Sequence, residues 1–169
     1  MHEMFANLDV YIIALLFFAA LAAGFVDSIA GGGGMITIPA LLLSGVSPLQ
    51  ALATNKLQST FGSFSATLHF YKKGFINLKF SLPFAIIAFV FSAIGTISVQ
   101  FIQVDSLSKI LPFLILIFGF YFLLAPNIGT TQKTKKASGT LLILAIAGIG
   151  LYDGFFGPGT GSFFILALI

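Results

Sequence analysis

The sequence contains no cysteine and no arginine, and charge of either sign is scarce. Without cysteine there is no disulfide, no thiolate metal site and no cysteine nucleophile. The basic residues are eight lysines, set against five acidic residues, for a formal net charge of +3. The lysines lie mainly in short polar gaps between apolar runs, so they read as topology signals and not as a nucleic-acid patch. His2 and His69 are far apart and form no metal-ligand cluster, and no cofactor or metal is expected. The chain has no HExxH, no paired catalytic histidine and aspartate, and no GxxxxGK[ST] phosphate loop, so it is not read as an enzyme.

What is present in excess is apolar surface. Hydrophobic residues make up 58% of the 169, charged residues 8%, and the mean hydropathy is +1.08. A soluble domain carries about 25% charged residues, and a soluble fold of this length could not cover its surface with so few polar groups. Lipid is the solvent that accepts such an exterior, including its 21 phenylalanines. The acidic N-terminus, with Glu3 and Asp9, lacks the basic region of a secretory signal. The apolar run after it is about 20 residues long, full membrane length, and reads as a retained helix.

The runs without period-2 alternation predict an all-α, polytopic transmembrane helical bundle, not a barrel. They are Val10–Ala30, Leu49–Tyr71, about Phe80–Ile102, Ser108–Leu124 and Gly139–Phe156. Between the first two lies Met35–Ser44, roughly 15 Å of helix and only half a bilayer core. Pro48 suits the first turn of the helix that follows. The expected division is a first repeat over 1–126, a cytoplasmic basic loop over 127–138 and the start of a second, incomplete repeat over 139–169. The positive-inside rule puts Lys72, Lys73 and Lys79, and also Lys133, Lys135 and Lys136, in the cytoplasm, and the gap with Asp105 outside. The N-terminus is cytoplasmic if Val10–Ala30 crosses fully with Met35–Ser44 as a bent extension. It is outside if the two form a re-entrant hairpin.

One motif occurs twice. Gly24, Asp27, Gly31 and Gly33 align at a constant offset with Gly150, Asp153, Gly157 and Gly159, and a short apolar piece follows each copy. Paired glycine-interrupted hydrophobic segments in two halves point to a transporter binding site. A break at membrane depth frees backbone N–H and C=O groups, and it survives only inside protein or beside a water-filled cavity. The amides at the start of the half-helix near Met35, with Gly31, Gly32, Gly33 and Gly34 before it, suit an anion. Close packing through small residues is the competing reading. Asp27 and Asp153 lie in apolar surroundings, where a charge is costly. They serve proton coupling or hold the freed amides of their own loops.

The run after Pro48 has two faces. Leu57, Phe61, Phe64 and Leu68 suit lipid, whereas Lys56, Thr60, Ser63 and Thr67 form a polar stripe beside Asn55, Ser59 and Gly62. Lys56 lies about two turns into the helix, too deep to snorkel easily. It reads as an electropositive site for a small anion, with Asn55 and Ser59 donating hydrogen bonds, or as a structural pair with Asp27. His69 reads as interfacial, and Ser92, Thr96 and Ser98 as packing or backbone-bonding residues.

The stretch from Gly24 to Met35, with Ile38-Pro39-Ala40-Leu41, Ala53-Thr54-Asn55-Lys56-Leu57-Gln58 and Gly62 to Lys72, resembles the TauE/SafE family of sulfite exporters and toluenesulfonate-uptake permeases. Gly150 to Gly161 is similar to that family's second glycine motif. The resemblance implies secondary transport of small organic or sulfur-containing anions across the cytoplasmic (inner) membrane, with protons as a coupling ion. It places the family motifs on Asp27 and Gly31–Gly34, on Thr54-Asn55-Lys56, and on Asp153, Gly157, Gly159 and Gly161, and Thr160 between the last two is a further candidate for the path. Family members continue for several more helices after the second motif, whereas this chain stops at Ile169 in an apolar run. The expectation is a partial product, with transport by this chain alone depending on a homo-oligomer. A non-transporting scaffold or an inactive fragment is the alternative.

Overall fold

The computed structural model describes residues 10–124 and 139–168, and among these every regular element is helical. The order is α1 (Val10–Ala30), α2 (Gly34–Leu43), α3 (Pro48–Lys72), α4 (Leu78–Val99), α5 (Val104–Leu124), α6 (Gly139–Phe155) and α7 (Thr160–Leu168). The basic loop with Lys133, Lys135 and Lys136 and the acidic N-terminus lie outside the described residues. Three stretches, Val10–Ile29, Leu78–Val99 and Val104–Tyr121, are long and apolar enough to cross a membrane. Their large side chains face outward, among them Phe17, Phe18, Leu21, Phe89 and Phe120. This is the exterior that hydrocarbon, not water, solvates.

Most element boundaries follow the sequence signals. Pro48 opens α3, where its missing N–H costs nothing. The fourth run differs: α5 begins at Val104, before the expected Ser108, so Asp105, expected in a gap, lies within its first turn. Asp105 there faces the exposed helix N-terminus, where a negative charge is favourable. The Ser106 and Leu107 amides donate to the Gln103 carbonyl and close that first turn.

Helix directions can be read from pairs of neighbours. Gly33 lies against the carbonyl of Ala23, and Leu16 packs on the cluster that holds Ile38 and Leu41. The chain therefore reverses at Gly31–Gly33, and α1–α2 is a re-entrant hairpin rather than one bent span. The Gln58 amide donates to the Ala20 carbonyl at 2.8 Å, and Gly62 lies beside the Gly24 carbonyl and the Asp27 β-carbon. A constant offset between such pairs means that α3 runs parallel to α1. In the same way Gly150 meets Ala88 and Gly154 meets Ser92, so α6 runs parallel to α4. The short turn after Lys72 sends α4 back along the direction opposite to α3, and α1 and α6 are therefore antiparallel. The two broken helices form an inverted pair.

The hairpins are held by different means. Ile38 and Leu41 of α2 enter a buried cluster with Ala51 and Leu52 of α3, Val99 of α4, and Leu107 and Leu111 of α5. That burial surrounds the short helix with protein, as its free ends require. The second hairpin closes on aromatic rings: Tyr152 lies 5.4 Å from Phe118 and 5.6 Å from Phe163, edge to face in both cases. The Tyr152 hydroxyl donates to the Pro158 carbonyl at 2.9 Å.

Candidate functional site

The two breaks meet. Gly31, at φ +65°, presents its carbonyl to the Gly161 amide at 3.3 Å. A β-carbon on Gly31 would stand 2.6 Å from the Gly161 α-carbon, so neither chain could approach so closely with a side chain there. The crossing forms one wall of a cavity of about 500 Å³. The opposite wall is the polar stripe of α3: Asn55, Lys56, Ser59, Thr60, Ser63 and Thr67.

Each break carries one aspartate. At the first, one Asp27 oxygen accepts the Gly33 amide at 2.7 Å and the other accepts the Ser59 hydroxyl at 2.8 Å. The carboxylate thus caps an orphan donor at the start of α2. Any side chain on Gly33 would strike it, since a β-carbon would lie 2.6 Å from the Asp27 carboxyl carbon. At the second break the Lys56 ammonium stands 2.8 Å from Asp153 Oδ2 and also donates to the Asp153 carbonyl. The Ser92 hydroxyl reaches the same carboxylate oxygen at 3.1 Å. Gly157, at φ +90°, leaves the space beside the ammonium: a β-carbon there would be 3.1 Å from Lys56 Nζ.

Asn55 is 3% exposed, and its side-chain oxygen has no hydrogen-bond partner. It lies against Gly34 on the cavity wall. An unsatisfied buried acceptor is costly, so it marks a place where a donor from a bound molecule would be favourable. The Thr160 hydroxyl, also on the wall, donates to the Gly157 carbonyl across the turn. Gln58 ties three helices together, accepting from the Thr37 hydroxyl at 3.0 Å while it donates to Ala20.

The model of the family described as "Sulfite exporter TauE/SafE" matches residues 16–169, which is most of the chain. The chain belongs to the TauE/SafE family. Among its curated relatives are the "Probable membrane transporter protein ORF9" of Sinorhizobium sp, 48% identical over 96% of this chain, and the "Probable membrane transporter protein YfcA" of Escherichia coli K12, 46% identical over 94%. A "Probable membrane transporter protein" of Haemophilus influenzae is 46% identical over 96%. The chain spans 63%, 59% and 64% of these relatives' lengths. No solved structure matches it.

Of the candidate site residues read from the sequence, Asp27, Gly31, Gly34, Asn55, Lys56, Ser59, Asp153, Gly157, Thr160 and Gly161 all line the cavity. Gly32, Gly33 and Gly159 do not line it. Gly33 instead supplies the amide that holds Asp27. Lys56 pairs with Asp153, not with Asp27 as the structural reading of that lysine had it. Both breaks meet this turn of α3, the first at Asn55 and Ser59 and the second at Lys56. Thr60, Ser63 and Thr67 complete the wall, and their helical spacing already marked them as one stripe. Thr96 and Ser98 bond backbone carbonyls as expected, at 2.9 Å to Ser92 and 2.8 Å to Ile94. Ser92 was missed as a site residue, because nothing in its own segment says that Asp153 will lie against it.

Proposed function

We propose that the chain carries the substrate path of a secondary transporter for small organic or sulfur-containing anions of the sulfite and sulfonate type, coupled to protons, in the cytoplasmic membrane. The observation that carries the reading is the crossing of two inverted glycine breaks on a cavity lined by one lysine and a polar helix face. A cavity of about 500 Å³ suits a small solute. The family match adds the class of cargo named in its description.

Charge supplies the argument for coupling. Lys56, Asp27 and Asp153 face the cavity together, one cation against two carboxylates. An anion entering that site with both carboxylates ionised meets net repulsion in a medium of low dielectric. Protonation of Asp27, which neutral donors alone hold among the bonds described, removes the excess charge. Proton and anion then enter together. The Asn55 oxygen is placed to accept from a protonated oxyacid or a bound water. Lysines 72, 73 and 79 at the α3–α4 turn favour the cytoplasm for that end. With α1 parallel to α3, the N-terminus then begins outside.

The test is flux of sulfite and of simple sulfonates in proteoliposomes of the full chain, with and without an imposed pH gradient. Uptake driven by the gradient and lost in Asp27→Asn supports the reading. Correct insertion with no flux of any of these anions would leave the chain as a non-transporting scaffold or an inactive fragment.

A further inference from the structure

Lys56 has a second surface. On the far side of the Lys56–Asp153 pair is another cavity, of about 240 Å³, lined by Leu49, Leu52 and Ala53 of α3, Thr96 and Gln100 of α4, and Lys56 itself. The larger cavity follows α3 the other way, from Lys56 through Ser59 and Ser63 to Thr67. The start of α3 and the end of α4 lie at one end of the bundle, since Leu52 and Val99 share a buried cluster. The two cavities therefore extend in opposite directions from one residue. From Leu49 to Thr67 the helix rises about 27 Å, close to the roughly 30 Å of a bilayer core. Lys56 stands between the polar helix face of the larger cavity and a smaller, mostly apolar cavity whose other polar side chains are Thr96 and Gln100.

We propose that the Lys56–Asp153 pair is the gate between these two cavities. The inference rests on the transport reading above and adds where the path is shut. The contacts suit a latch. The Lys56 ammonium bridges α3 to the end of α6, held by the Asp153 carboxylate and by the Asp153 carbonyl. That carbonyl is in the last turn of α6, where the helix leaves acceptors unsatisfied and the dipole favours a cation. A glycine at 157 lets the ammonium reach this position. The side chains are 28% and 33% exposed, so the pair is in contact with the cavities and not sealed in a core. An anion arriving at Lys56 replaces the Asp153 carboxylate as its counter-ion, frees α3 from α6, and opens the way past Gly154.

The absence of native cysteine makes the experiment clean. Single cysteines are introduced at Ser63, in the larger cavity, and at Ala53, in the smaller one. Each is labelled in oriented membrane vesicles with a membrane-impermeant thiol reagent, applied from one side or the other. With the pair intact, Ser63→Cys reacts only from the side of Lys72, and Ala53→Cys only from the opposite side. In an Asp153→Asn background each reacts from both sides, with the formerly closed side rising roughly tenfold or more. Lys56→Met makes the same test from the other half of the pair should Asp153→Asn fail to insert. The reversed pair, Lys56→Asp with Asp153→Lys, restores one-sided labelling. Unchanged sidedness in the inserted single variants, or two-sided labelling with the pair intact, overturns the gate. No transported substrate enters the measurement, so failure of the gate and absence of transport are read separately.

Discussion

The two breaks share a sequence pattern and differ in what balances their aspartate. Asp27 is held by an amide and a hydroxyl, both neutral. Asp153 is held by a lysine from a helix far away in sequence and by a hydroxyl. Their glycines differ too. Gly24 has open space where a side chain would begin, whereas Gly150 lies against the Ala88 backbone, with 2.7 Å from a built β-carbon to the Ala88 oxygen. Gly154, one turn on, is pressed against the Ser92 backbone. The first motif uses its glycines to fold a loop around a carboxylate. The second also uses them to bring α4 and α6 into backbone contact, as small residues do between membrane helices. An inverted repeat thus conserves the turn and the acid while letting the surroundings diverge.

The sharpest way to break this comparison is to remove the cation from one side only. Lys56→Met leaves Asp153 with a serine hydroxyl and no counter-charge. Removing one partner of a buried ion pair costs about 3–5 kcal/mol, and partial exposure of this pair places it at the low end. Denaturant unfolding in detergent should show that loss, and the double variant Lys56→Met with Asp153→Asn should recover most of it.

Next in size is Gly150→Ala. The added methyl meets α4 backbone, which cannot rotate away as a side chain would, and overpacking of this kind costs about 1–3 kcal/mol. A lower midpoint of thermal unfolding, with weaker α4–α6 cross-linking, is the expected result. Asp27→Asn follows, at about 1 kcal/mol, since an amide oxygen still accepts from Gly33 and Ser59 can reverse its hydroxyl. A melt run beside the flux assay proposed above separates this small loss of stability from any loss of flux. The smallest effect has the opposite sign. Gly24→Ala, the counterpart of Gly150→Ala, meets nothing within 4 Å and should gain up to about 1 kcal/mol of helix stability. If both alanine variants behaved alike, the contrast between the two motifs would be lost.

Much of this was legible along the chain. The apolar exterior follows from composition, because no polar solvent could accept so many exposed phenylalanines. The helix limits follow from Pro48, from the glycine runs and from the lysine gaps, all local effects of backbone geometry and charge. The polar stripe of α3 follows from helical period alone, and the paired breaks from a repeated pattern of residues. These features are set within a turn or two of chain, where the sequence acts directly.

What the tertiary structure decided is which distant groups share a place. That α1 and α2 form a hairpin depends on Ile38 and Leu41 finding a buried cluster with α3 and α5. That Gly31 touches Gly161, that Lys56 chooses Asp153 over Asp27, and that Ser92 joins them all depend on the antiparallel placement of α1 and α6. Helix directions are settled by packing between whole faces, so the energy that selects them is spread over many contacts and no short stretch encodes it. The sequence by itself determined a membrane chain with two aspartate-bearing glycine breaks and one deep lysine. Only the fold could join the breaks at one cavity and turn that lysine into a bridge between two helices.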